Sequence, residues 1–92
     1  MKPLSQAEID QKLKDLPDWC YEAGTLSAEF KFPDFVAAFS FMTKVAAAAE
    51  RAQHHPDWSN VYNRVTIKLS THEVSGVTTK DFHLATAINA LI

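Results

Sequence analysis

The chain is predicted to be an α+β domain: a four-stranded antiparallel sheet with three helices packed on one face, in the order α-β-β-α-β-β-α. Two observations predict it. In two separate stretches, apolar and polar residues alternate strictly. Leu26, Ala28, Phe30 and Phe32 alternate with Ser27, Glu29 and Lys31, and Val65, Ile67 and Leu69 with Thr66, Lys68 and Ser70, the period of a strand with one buried face. Around and between these runs, apolar residues recur at steps of three and four, the period of an amphipathic helix. Hairpins separated by helices resolve into a sheet that is covered on one side.

Taken in order, Ser5 with Glu8 forms a capping-box pattern ahead of Ile9, Leu13 and Leu16, so a first helix of about ten residues should end before Pro17. Trp19 to Glu22 is a short strand and Ala23-Gly24 the turn into the alternating run. Asp34, after Pro33, can cap a long second helix. Phe35, Phe39, Met42, Ala46 and Ala49 trace one face of it, and Phe41, Val45 and Ala48 widen the stripe beyond what one sheet face needs. That surplus suits either a subunit contact or deep burial in a monomer. Trp58 to Tyr62 and Val65 to Leu69 form a second hairpin around Asn63-Arg64, and after Gly76 the pair Thr78 and Asp81 opens a last helix carrying Leu84, Ala85, Ile88 and Leu91.

The 92 residues suffice for a single domain, 1–92, with one modest core. With 47% apolar and 22% charged residues, disorder is excluded. The net charge of -2 and scattered Lys and Arg give no basic footprint, so direct nucleic acid binding is not expected. The lone Cys20 offers neither a disulfide nor a thiolate cluster. No secretory pattern opens the chain and no apolar run approaches the roughly 18 residues of a membrane span. A cytoplasmic protein without membrane contact is the expectation.

Chemistry concentrates between Glu50 and Asp81, where three of the four histidines stand with carboxylates beside them, and histidine is the side chain that titrates nearest physiological pH. Pro56 should stop the second helix around His54 or His55. Both histidines then fall at a helix C-terminus, where the macrodipole and Glu50, four residues before His54, would favour an imidazolium able to act as an acid. In an extended strand end, His72 points away from the core and could approach the pair across a pocket rimmed by Ser70 and Thr71. Plainer alternatives stand beside this: a helix-end pair serving the dipole, His72 and His83 as surface residues, Trp58 and Tyr62 as core aromatics. Zinc ligation by three histidines and Glu50 lacks the usual ligand spacing, so no metal is expected.

The string Glu50-x-x-x-His54-His55-Pro56-x-Trp58, then Asn60-Val61-Tyr62-Asn63, Ser70-Thr71-His72-Glu73 and Asp81, resembles the signature of the pterin-4a-carbinolamine dehydratases. Trp19, Phe30-x-Phe32-x-x-Phe35 and Phe41-Met42-Thr43-x-Val45-Ala46 extend the likeness over nearly the whole chain. The resemblance implies dehydration of 4a-hydroxytetrahydrobiopterin, or a related 4a-hydroxytetrahydropterin, to quinonoid dihydropterin. It implies His54 and His72 as acid/base groups and His55 as a catalytic-site residue that chiefly holds the substrate. Gln53, His54 and His55 with Ser70, Thr71, His72 and Glu73 would form two substrate-binding segments, supported by Glu50, Pro56 and Asp81. Gln53 stands where some members carry an acidic residue. No organic cofactor or metal is implied, and the partners implied are a small-molecule pterin and further copies of the chain in a dimer or tetramer. The resemblance also carries a competing role, a dimerisation module for a transcription factor or hydroxylase system, acting through the second helix.

Overall fold

The computed structural model describes residues 2–92. Its elements are α1 (Gln6–Leu13), β1 (Cys20–Glu22), β2 (Thr25–Lys31), α2 (Phe35–Ala52), β3 (Asp57–Val61), β4 (Arg64–Leu69) and α3 (Thr79–Asn89), with a single 3₁₀ turn at His72–Val74 before α3. The strands form one antiparallel sheet in the order β1-β2-β4-β3, and the predicted arrangement of three helices and four strands holds. Register follows the alternation: Ala28, Ile67 and Trp58 lie side by side in one row, Ser27, Lys68 and Asp57 in the next. The first row points to the helices and the second away from them, as a period of two requires. Leu26, Val65, Ile67 and Leu69 of the sheet meet Ile9, Val45, Ala49, Leu84 and Ile88 of the helices in one core.

Local signals account for most element ends. Ser5 Oγ accepts from Glu8 N–H at 3.2 Å and Glu8 Oε1 accepts from Ser5 N–H at 2.9 Å, the reciprocal box that satisfies two free donors of α1. α1 ends sooner than Pro17 alone predicts, because the amides of Lys14, Asp15 and Leu16 donate three residues back rather than four. Asp34 Oδ1 accepts from Ala37 N–H at 2.8 Å and starts α2. At the β1–β2 turn Ala23 and Gly24 have φ of 51° and 80°, the sense that matches hairpin twist and that Gly24 adopts freely.

Three expectations are corrected. The β3–β4 turn is Tyr62-Asn63, one residue earlier than predicted. Tyr62 takes φ 51°, and Asn60 Nδ2 braces the turn by donating to the carbonyls of Tyr62 at 3.1 Å and Arg64 at 2.8 Å. Tyr62 is consequently exposed rather than a core aromatic. The faces of α2 are largely exchanged: Ala38, Phe41, Val45 and Ala48 enter the core, and of the predicted main stripe Ala49 is buried and Met42 half-buried against the core, whereas Phe35 is 47% and Phe39 54% exposed. The N-terminal part of the stripe read as the main one, Phe35 and Phe39, is the surplus, because the wide apolar arc of α2 left its core-facing centre ambiguous. Finally, β4 stops at Leu69 and His72 lies on the 3₁₀ turn, not on an extended strand end.

The ends of the chain are tied in by Leu4 N–H, which donates to Val77 C=O at 2.8 Å, and by Trp19 Nε1–H, which donates to Asn89 Oδ1 at 2.9 Å. Among the described residues, no helix is long and apolar enough to cross a membrane.

Candidate active site

The geometry begins with the way α2 ends. Gln53 takes left-handed φ 53° and ψ 40°, its N–H reaches Glu50 C=O at 3.2 Å and His54 N–H reaches Ala49 C=O at 3.1 Å. These are the two bonds of a Schellman motif, with a glutamine where glycine is commoner. Gln53 Nε2 adds a bond to Glu50 C=O at 2.9 Å. The helix therefore stops at Ala52, and His54 and His55 lie beyond it, ahead of Pro56 and β3.

This reversal separates the two histidines. His54 turns inward, its side chain only 12% exposed, and its Nε2 lies 2.5 Å from Oδ1 of the fully buried Asp81. His55 turns outward, its Nε2 2.6 Å from Glu50 Oε1, both side chains open to solvent. Glu50 was expected to support His54 along the helix face; it pairs with His55 instead, because the reversal at Gln53 ends the helical i,i+4 relation. An exposed pair of this kind contributes about 0–1 kcal/mol, so Glu50 orients His55 more than it stabilises the fold.

Asp81 is the centre of the arrangement. It lies at the start of α3, where its Oδ2 accepts from Thr78 N–H at 2.9 Å, closing the predicted N-terminal box, and from Thr71 Oγ1–H at 2.8 Å. Thr71 Oγ1 and Thr78 Oγ1 are themselves 2.9 Å apart. A buried carboxylate is costly unless its oxygens are filled, and here they are. Among the described residues no buried side-chain nitrogen or oxygen lacks a partner.

Asp81 also joins the two predicted segments. His54 binds one of its oxygens and Thr71 the other, and His72 follows Thr71 directly. The main chain around His72 is pinned by Thr71 N–H to Gly76 C=O at 2.8 Å, with Ser75 in a left-handed conformation at φ 53°. The exposed His72 borders a hollow of about 250 Å³, lined also by Ser70, Thr71, Gly24, Ser75 and Gly76. His54 and His55 do not line it. Gln53 and Glu73 are exposed and Pro56 is half-buried. Among the described residues no three His, Cys, Asp or Glu side chains are grouped as ligands for a metal ion.

Several participants were not singled out from the sequence. Thr78 was legible as a helix cap but not as a partner of Thr71 and Asp81. Gly24, Ser75 and Gly76 stand in turn-forming stretches, and only the fold brings the β1–β2 turn against the 75–76 loop.

The chain has known counterparts in sequence and in fold. A protein of Solibacter usitatus (strain Ellin6076), named "Putative pterin-4-alpha-carbinolamine dehydratase", is 50% identical over 88 residues, covering 96% of this chain and 93% of its own. The crystal structure of a transcriptional coactivator/pterin dehydratase from Brucella melitensis superposes with a TM-score of 0.95 at 39% identity, over 98% of both chains. A pterin dehydratase-like protein identified as a RuBisCO assembly factor in the alpha-carboxysome shares the fold, with a TM-score of 0.67 at 20% identity over 79% of this chain and 84% of that one. With its model matched from residue 2 to residue 91, the pterin 4 alpha carbinolamine dehydratase family is the one to which this chain belongs.

Proposed function

We propose that this chain removes water from a 4a-hydroxytetrahydropterin, such as 4a-hydroxytetrahydrobiopterin, to give quinonoid dihydropterin by imidazole acid/base catalysis. The C4a–oxygen bond breaks as an acid protonates the departing hydroxyl, while a base takes a proton from a ring nitrogen or its substituent. One acid and one base serve both transfers. His54 and His72 take these roles and His55 holds the ring, with Gln53, Ser70, Thr71 and Glu73 around it and Glu50, Pro56 and Asp81 in support.

The observation that carries this is the His54–Asp81 contact of 2.5 Å. A carboxylate only accepts hydrogen bonds, so it holds the Nε2–H form of His54 and leaves Nδ1 as the working nitrogen. Nδ1 makes no hydrogen bond among the described residues and, since no buried atom there is unpartnered, it reaches solvent.

The test follows 4a-hydroxytetrahydropterin decay by ultraviolet absorbance with and without the protein. Each positioned group is worth about 10²- to 10⁴-fold, so His54→Ala and His72→Ala should each slow turnover by that order. Unchanged turnover in both variants would overturn the mechanism.

The exposed Phe35 and Phe39 favour a second, compatible role in assembly. Phe39 lines an apolar hollow of about 250 Å³ with Met42, Thr43, Ala46 and Trp58, and further copies of the chain, as a dimer or tetramer, are the proposed occupants. A purely regulatory module would keep this surface and show no dehydratase turnover.

A further inference from the structure

Counting donors around Asp81 gives each hydrogen bond a direction. A hydroxyl has one hydrogen, and that of Thr71 goes to Asp81 Oδ2. The 2.9 Å contact between the two threonine hydroxyls must then run from Thr78 O–H to Thr71 Oγ1. Thr78 Oγ1 accepts in turn from Lys80 N–H at 3.2 Å, and Thr78 N–H donates to Asp81 Oδ2. Every hydrogen points toward the carboxylate. With two donors on Oδ2, Oδ1 is the oxygen left to face His54, and the carboxylate cannot turn without breaking both bonds on Oδ2.

Thr71 is only 3% exposed, its N–H donates to Gly76 C=O at 2.8 Å, and its C=O accepts from Val74 N–H at 3.2 Å and Gly76 N–H at 3.5 Å. With its one hydroxyl hydrogen given to Asp81, Thr71 has no donor left to offer a substrate, although it stands next to His72. We propose that Thr71 and Thr78 are positioning residues: through Asp81 they hold His54 with a hydrogen on Nε2 and Nδ1 facing outward. This reassigns Thr71 from the wall that touches substrate to the network behind it, and it adds Thr78. The consequence for turnover rests on the proposed dehydratase chemistry; the state of His54 does not.

The experiment therefore reads both. In ¹⁵N-labelled protein, the His54 Nε2–H should give a proton signal protected from exchange with water. Thr71→Val should broaden or lose that signal, and Thr71→Ser should restore it. Removing a group that orients a metal-ligating histidine costs about 10- to 100-fold, and the same order is expected for one that orients an acid/base histidine. Dehydratase kcat should accordingly fall by that order in Thr71→Val with KM little changed, and recover in Thr71→Ser. Thr78→Val, which keeps its backbone N–H, carries the same comparison should Thr71→Val fail to fold. An unaltered Nε2–H signal in folded Thr71→Val or Thr78→Val, or a raised KM with kcat retained, would overturn the proposal. A protected signal that responds as expected in a protein with no turnover at all would instead overturn the dehydratase function and leave the positioning role standing.

Discussion

Asp81 is fully buried, and its side chain meets donors from three other residues. Asparagine would keep its shape while exchanging one acceptor for a donor. The two donors on Oδ2 would draw the amide oxygen, which sets the NH₂ group against His54 Nε2 and forces the ring hydrogen onto Nδ1. Asp81→Asn should therefore fold, with a loss of about 1–3 kcal/mol as charge-assisted hydrogen bonds become neutral ones, measurable by urea unfolding. Its dehydratase turnover should fall by about 10²- to 10⁴-fold, because the group meant to exchange protons is in the wrong tautomer. The same residue marks a limit of inference from sequence. Asp81 was legible as a first-turn carboxylate of α3, yet its bond to His54 spans 27 positions, and no local pattern encodes such a distance.

At the scale of the element, the end of α2 is where local rules and structure part. Pro56 rightly predicts that the helix stops, but the left-handed residue comes three positions earlier, at a glutamine that gives no warning of it. A non-glycine residue there costs about 1–2 kcal/mol. Gln53→Gly should relieve part of this, offset by the lost amide bond to Glu50, and stabilise the protein by about 0.5–1 kcal/mol in urea unfolding. α1 offers a pH-dependent counterpart. The backbone N–H and hydroxyl of Ser5 hold the Glu8 carboxyl below its ordinary range. A group whose folded pKa is depressed adds stability above its unfolded pKa and loses it as pH falls through the folded value. The protection factors of the α1 amides, exchange rates corrected for the intrinsic slowing in acid, should thus fall on acidification through that range, and Ser5→Ala should flatten the response.

For the whole molecule, the layer arrangement was legible because strand and helix periods are local and mutually consistent: the Leu26 and Val65 runs alternate, and the two capping boxes stand where α1 and α3 begin. Which side of α2 meets the sheet was not legible, since nearly every candidate position on it is apolar. That exchange of faces changes how assembly is tested. Charged replacements at Phe41 or Ala48 would strike the core, whereas Phe39→Glu alters an exposed position. Phe39→Glu should keep the wild-type circular dichroism spectrum and lower the molar mass measured by light scattering toward that of a monomer.

Only two tryptophans are present, and they occupy contrasting surroundings. Trp19 is enclosed and clasped to Asn89, while Trp58 is half-open beside the Phe39 hollow. Intrinsic fluorescence can consequently be divided by substitution: with Trp58→Phe, the remaining emission reports whether the chain is folded, and with Trp19→Phe it reports whether a neighbour covers α2. Dilution should redden the second signal at protein concentrations that leave the first unmoved.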